Sequence, residues 1–106
     1  MKDKEVWLKN LNYFQSKEIG TFTINNSTKR YFKVDVVNEH LIISKSESLK
    51  PTCNINVKRT ITYKQFEEIY NLYERYKNRE KGIRKQMRDL NNNATYIISI
   101  INEILG

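Results

Sequence analysis

The amino-acid sequence predicts an α+β fold made of a short N-terminal helix, a three-stranded antiparallel β-meander and a C-terminal half of three helices. Two patterns indicate this class. Between residues 21 and 45 apolar and polar residues alternate, with the period of two that is typical of strands. From residue 62 onward apolar residues recur three and four positions apart, which is the period of an amphipathic helix. We therefore expect the strands to lie between the N-terminal helix and the three C-terminal helices.

The length of the chain favours a single domain. A chain of 106 residues can bury one modest core, and neither the strand half nor the helical half is large enough to fold alone. We expect one domain over residues 1–106, with a strand half at about 1–45, a loop at 46–56 and a helical half at about 57–106.

The N-terminal helix is expected over residues 4–15, because four apolar residues there occupy one helical face. These residues are Trp7, Leu8, Leu11 and Phe14. Asp3 is placed to accept hydrogen bonds from the first turn, and Gly20 ends the helical pattern. We expect Trp7 to anchor this helix to the core.

The meander is expected to follow Gly20 directly. Its strands are centred on residues 22–24, 29–37 and 40–45. Asn and Ser residues at 25–28, and an Asn-Glu pair at 38–39, favour the two turns between these strands. The side chains expected to face the helices are Phe22, Ile24, Phe32, Val34, Val36, Leu41 and Ile43.

The second helix has the clearest start signal in the chain. Thr62 and Gln65 form a capping box, in which the side chain of each residue accepts a hydrogen bond from the backbone N–H of the other. Ile61 and Phe66 flank the box at positions where they can pack together as a hydrophobic staple. We expect this helix over residues 63–78. Its buried stripe is expected to consist of Phe66, Ile69, Tyr70, Tyr73 and Tyr76.

Two shorter helices are expected after it. Gly82 separates the second helix from a third at residues 83–90, and three asparagines at 91–93 separate the third from a fourth at residues 94–105. The short helix, the three-residue turn and the final helix have the outline of a helix-turn-helix. In that motif the first helix braces on the DNA backbone and the second presents its first residues to the bases.

The residue inventory argues against a membrane-spanning or secreted protein. No apolar run approaches the roughly 18 residues that a membrane-spanning helix needs. The charged N-terminus is not followed by the apolar segment of a secretory signal. A single cysteine permits no disulfide bond within the chain, which favours a reducing, cytoplasmic location.

Candidate catalytic and metal-binding residues are also few. His40 is the single histidine and is expected to be structural, while Cys53 is the single cysteine and is expected at the surface of the loop. Structural and catalytic zinc sites need several such ligands, and the sequence has no glycine-rich loop of the kind that cradles phosphates. We therefore expect a non-catalytic protein without a metal or cofactor.

Residues 75–88 carry most of the excess positive charge. Seven of these residues are Lys or Arg and one is Glu, whereas the net charge of the whole chain is +7. Four of the seven are Arg, whose planar guanidinium can bond two phosphate oxygens at once. A surface for an anionic partner is therefore the first functional hypothesis.

The sequence predicts a small non-catalytic DNA-binding protein or targeting module, with DNA favoured over RNA. The residues expected to hold phosphates are Arg79, Lys81, Arg84, Lys85 and Arg88. The residues expected to approach bases from the start of the last helix are Asn92, Asn93, Thr95 and Ser99. A second basic cluster, Lys29, Arg30 and Lys33, lies on the predicted strand hairpin, where it can act as the wing of a winged helix.

Other interpretations of these features stay open. The basic stretch is also compatible with an ordinary solvated helix face, because the helix dipole favours positive residues at the C-terminal end of a helix. The same face can bind an acidic protein partner, as in an inhibitor or adaptor. Lys, Asn and Ile number 13 each, which is typical of AT-rich genes. This composition favours a low-GC bacterium or its mobile DNA as the source of the gene, and it says nothing about function. The DNA-binding hypothesis itself is what suggests a regulator, or the targeting module of a mobile-element or phage-defence system.

Overall fold

The computed structural model describes residues 3–21, 29–53 and 55–105, and these ranges form four α-helices and one four-stranded antiparallel sheet. The helices are α1 (Asp3–Tyr13), α2 (Tyr63–Lys77), α3 (Ile83–Leu90) and α4 (Ala94–Leu105). The strands are β1 (Lys17–Gly20), β2 (Tyr31–Val37), β3 (His40–Lys45) and β4 (Arg59–Ile61), and they lie side by side in chain order. The α+β class is confirmed, but the predicted count of three strands is wrong.

The first strand lies earlier in the chain than the sequence predicts. β1 pairs with β2 through Ile19 and Phe32, whereas Thr21 already lies outside the strand. The predicted strand at Phe22 and Ile24 and the turn at 25–28 fall outside the described residues. Ile19 is the one buried side chain of β1, so this four-residue strand has no alternating pattern that the sequence could reveal.

The fourth strand occupies a segment that the sequence assigned to the start of the helical half. β4 pairs antiparallel with β3, with Ile61 opposite Leu41 and Arg59 opposite Ile43. Three residues are too few to show a period of two, and the pairing joins segments far apart in the chain. β4 forms one edge of the sheet, directly before the Thr62 cap of α2.

The hairpin between β2 and β3 agrees with its prediction. Asn38 and Glu39 have positive φ angles of 50° and 64°, which is the backbone of a type I′ turn and matches the twist of paired strands. Val37 pairs with His40 across the turn. The inward side chains of both strands are fully buried at Phe32, Val34, Leu41 and Ile43, while Val36 is half-buried.

The capping box at the start of α2 is confirmed. The Thr62 hydroxyl accepts from the Gln65 backbone N–H, and the Gln65 side chain accepts from the Thr62 backbone N–H, both at 3.4 Å. Trp7 of α1 packs on Phe66 with ring centroids 5.3 Å apart, which confirms its anchoring role. The predicted face of α1 is partly wrong, because Leu8 is 49% exposed and Val6 is buried instead.

The last helix runs through the core. The five consecutive residues 97–101 of α4 are all buried, and five residues at 100° each cover the full circumference of a helix. A helix that is covered on every side belongs to the interior. Ile97, Ile100 and Ile101 are completely inaccessible, and so are Phe66 and Ile69 of α2. No helix within the described ranges combines the length and the apolar character that a membrane span requires.

Candidate nucleic-acid interface

The predicted phosphate-binding residues follow the end of α2 and continue along α3 to its last turn. We call Arg79, Lys81, Arg84, Lys85 and Arg88 the basic corner. The chain reverses there in a short turn, in which the Glu80 backbone N–H donates to the Arg75 carbonyl at 3.0 Å and Gly82 adopts a left-handed φ of 81°. Glycine adopts such a φ at little cost because it has no Cβ, so Gly82 suits the turn that leads into α3.

The acidic residue of the basic stretch is already paired. The Arg75 guanidinium donates to the Glu80 carboxylate, from Nε at 2.9 Å and also from Nη2. This contact raises the pKa of Arg75 and lowers the pKa of Glu80. Because Glu80 is held by Arg75, the corner keeps its positive charge for another partner.

The five corner residues differ in accessibility. Arg79, Lys81, Lys85 and Arg88 are exposed, whereas Arg84 is half-buried. The Arg84 Nη2 donates to the Thr95 hydroxyl of α4, and its Nη1 is buried without a hydrogen-bond partner among the described residues. Burial lowers the pKa of Arg84, and the neighbouring Arg88 charge adds to the shift. Arg84 therefore ties α3 to α4, and the exposed cations are its four neighbours.

The residues predicted to approach bases are mostly turned inward. Asn92 is exposed and Thr95 is half-buried under Arg84, but Asn93 is 8% exposed and Ser99 is 2% exposed. The Ser99 hydroxyl donates to the Thr95 carbonyl at 2.8 Å. The polar side chains of α4 thus serve the fold, and Asn92 is the one member of this group that stands fully at the surface.

Asn93 belongs to a polar network that the sequence did not reveal. Its Oδ1 accepts from Arg59 Nη1 at 3.3 Å, and its Nδ2 donates to Gln65 Oε1 at 3.5 Å. The Arg59 guanidinium also lies over the Tyr96 ring, 5.6 Å from its centroid. These contacts connect β4, α2 and the start of α4, and they depend on the unpredicted strand β4. An isolated Arg before a helix cap carries no local signal for such a role.

A polar groove of about 500 Å³ opens beside this network. Its lining consists of Arg59, Thr60, Gln65, Glu68, Asp89, Leu90, Asn91, Asn92 and Asn93. Glu68 and Asp89 contribute two carboxylates against the single guanidinium of Arg59, so the groove does not attract phosphate. The groove borders the basic corner at the end of α3, where Asp89 and Leu90 follow Arg88.

The second basic cluster lies on the sheet, at β2 and directly before it. Lys29 and Arg30 are exposed, and the aliphatic part of Lys29 packs over Gly20. Lys33 Nζ donates to Glu47 at 3.2 Å, and this hydrogen bond raises the pKa of Lys33. Two of the three predicted wing residues are therefore available to a ligand, and the third is engaged within the chain.

The cysteine is placed differently from its prediction. Cys53 is 6% exposed, so the expectation of a surface thiol is wrong, and burial raises the pKa of this thiol. Its neighbour Ile55 is buried as well, which shows that this part of the loop packs onto the core. Within the described ranges no three His, Cys, Asp or Glu side chains are grouped so that they could hold a metal ion.

Comparison with known proteins gives this site no family: no protein-family model, no curated protein and no solved structure matches the chain.

Proposed function

We propose that this protein is a small non-catalytic DNA-binding module that holds the phosphate backbone with its basic corner. The supporting observation is the exposure of Arg79 and Lys81 before α3 and of Lys85 and Arg88 on it, next to an acidic residue that Arg75 has already neutralised. Exposed cations grouped in this way suit a polyanion, because phosphate contacts supply most of the affinity of non-specific binding.

The winged-helix-like arrangement expected from the sequence enters this proposal in part. Lys29 and Arg30 are exposed beside the sheet and are proposed as secondary backbone contacts. Lys33 contributes less, since its ammonium is paired with Glu47. DNA is favoured over RNA because the exposed cations suit the regularly spaced phosphates of a duplex, whereas sequence-specific RNA recognition usually stacks splayed bases on exposed rings.

The test is a titration of labelled duplex DNA, single-stranded DNA and RNA at two salt concentrations. Four phosphate contacts predict a slope of log K against log salt of about −3.6 on duplex DNA, at roughly 0.9 per contact. Absence of binding at low salt, or binding without a salt slope, contradicts the proposal. Stronger binding to RNA than to duplex DNA assigns the corner to RNA instead.

A matched pair of variants assigns the slope to the corner. The triple replacement of Lys81, Lys85 and Arg88 by Ala leaves Arg79 and should make the slope shallower by about 2.7, at roughly 0.9 per contact. The control replaces three exposed lysines on other elements, Lys9, Lys45 and Lys50, by Ala. It removes the same charge and should leave most of the slope. Circular dichroism checks that both proteins are folded, and equal slopes for the two would remove the corner from the proposal.

One observation favours the alternative of an acidic protein partner. Leu90 is 48% exposed at the end of α3, next to the basic corner, and a protein interface commonly joins an apolar contact to a charged rim. Under this alternative the titration detects no nucleic-acid binding at low salt. Leu90→Ala should then weaken the partner complex, whereas it should not affect backbone-dominated DNA binding.

A further inference from the structure

α3, which carries part of the basic corner, has one face exposed to solvent. Ile83 and Met87 are its buried residues, and Arg84 is half-buried. The remaining side chains of the eight-residue helix are exposed: Lys85, Gln86, Arg88, Asp89 and Leu90. Gln86 and Asp89 are three positions apart and so lie on one side of the helix. A shallow groove of about 370 Å³ runs along this side between Gly82 and Leu90.

The neighbouring helix cannot present such a face. Residues 97–101 of α4 are buried on every side, and a helix that reads base edges must enter the major groove with one face free. An α-helix with its side chains is about 10–12 Å across, which fits the roughly 12 Å width of the major groove. α3 therefore has the size and the exposure that this docking geometry requires.

The charges around α3 suit a duplex approached in this way. Arg79 and Lys81 precede the helix and Arg88 is on its last turn, so cations stand at both ends of the reading side, where the two phosphate backbones flank a major groove. A surface for phosphate alone gains nothing from the exposed carboxylate of Asp89. A surface that also contacts bases can use this carboxylate, because a carboxylate accepts a hydrogen bond from the N4 amino group of cytosine.

We propose that α3, and not α4, contacts base edges in the major groove of duplex DNA, with Gln86 as its main base-contacting residue. The Gln86 amide has both a donor and an acceptor, which match N7 and the N6 amino group of adenine. Asp89 is the second contact and takes cytosine. This inference rests on the proposed DNA-binding function and adds to it a preference among sequences.

The test selects binding sites from a random duplex library with the wild-type protein, Gln86→Ala and the control Gln15→Ala. Gln15 is an exposed glutamine after α1, so its replacement removes the same group far from α3 in the chain. The wild type and the control should enrich the same short motif containing adenine. Gln86→Ala should keep its affinity for random duplex within about twofold. It should also lose preference at one base pair by about tenfold or more, which is the contribution of one bidentate contact.

A second variant tests whether the identity of residue 86 determines which base is preferred. Gln86→Glu keeps the size of the side chain but removes its hydrogen-bond donor, so that it can only accept hydrogen bonds. The preferred base at that position should therefore change from adenine to cytosine. Enrichment of no motif by a wild type that does bind duplex DNA overturns the inference and leaves the phosphate-binding function standing. An identical motif for the wild type and Gln86→Ala overturns it as well. Failure of the wild type to bind duplex DNA overturns both.

Discussion

α3 and α4 are consecutive helices joined by three asparagines, yet the fold uses them in opposite ways. α3 buries Ile83 and Met87 and leaves most of its polar side chains in solvent, whereas α4 buries five residues in a row and is covered on every side over residues 97–101. The sequence places candidate DNA-binding residues on both helices. The comparison shows that accessibility, and not the presence of polar residues, decides which of two adjacent helices can meet a partner.

The polar residues at the junction also divide between the two tasks. Arg84 lies on α3 but donates to Thr95 of α4, and Asn93 precedes α4 but bonds Arg59 and Gln65. These side chains hold the helices in place. Arg88, one turn after Arg84, remains exposed. Two arginines four positions apart on one helix therefore have different roles, one inside the fold and one at its surface.

The largest expected effect tests the burial of α4. Ile100 is completely inaccessible, so Ile100→Ala should lower the free energy of unfolding by about 2–5 kcal/mol, through lost burial and the cavity left behind. Leu105, at the end of the same helix, is 44% exposed. Leu105→Ala should change the free energy by less than about 1 kcal/mol. Urea unfolding measures both, and equal losses would show that α4 is not enclosed as described.

The next effect separates the two arginines of α3. Arg84→Lys keeps the charge but removes the guanidinium that donates to Thr95, so it should lower the free energy of unfolding by about 1–3 kcal/mol. Arg88→Lys alters an exposed side chain and should change stability by less than about 0.5 kcal/mol. Urea unfolding again gives the values. Equal stability of the two variants would mean that Arg84 does not tie α3 to α4.

DNA affinity of the same two variants sharpens the comparison from the functional side. Both keep their positive charge, so under the proposed function each should retain the salt slope of the wild type. A large loss of affinity in Arg88→Lys without a loss of stability would show that the corner needs the planar fork of Arg. The pair thus measures structural and binding contributions on one helix face.

The elements with local signals could be predicted from the sequence. The bounds of α3, α4 and β3 agree with those expected, and α2 ends one residue earlier than expected. Each has its own marker: Gly82 before α3, asparagines before α4, the capping box before α2 and a two-residue turn before β3. These signals act within a few residues, so they require no knowledge of the tertiary fold.

The strands at the edges of the sheet and the enclosure of α4 could not be predicted in this way. β4 is three residues long and exists because it pairs with β3. The sequence predicts that Ser99 approaches bases from α4, but packing leaves only 2% of this residue exposed. The position of the basic corner could be predicted from the sequence because its residues lie on one continuous stretch of the chain. The polar network could not be predicted, because it joins three separate segments of the chain through Arg59, Gln65 and Asn93.

The last expected effect, a change in the slope of stability with pH, concerns a charge that the fold uses itself, in contrast to the exposed charges of α3. Glu18 on β1 accepts hydrogen bonds from the Ser46 and Ser48 hydroxyls and from the backbone N–H groups of Glu47 and Ser48. The Ser46 hydroxyl, followed by the Ser48 contacts, lowers the pKa of Glu18 from 4.5 to about 2. Its ionised form is therefore favoured by the native loop.

The sign of the pH dependence follows from this shift. Because the folded pKa lies below the unfolded value, the Glu18 contacts stabilise the protein above the ordinary pKa of 4.5 and are lost as the pH falls from 4.5 to about 2. Glu18→Gln should make the loss of stability across this window shallower. Ser48→Ala removes one donor, so its slope should lie between those of Glu18→Gln and the wild type. Urea midpoints across the window measure the slopes. A wild-type slope in Glu18→Gln would place the acid sensitivity elsewhere, while charge replacements on the exposed face of α3 should leave it unchanged.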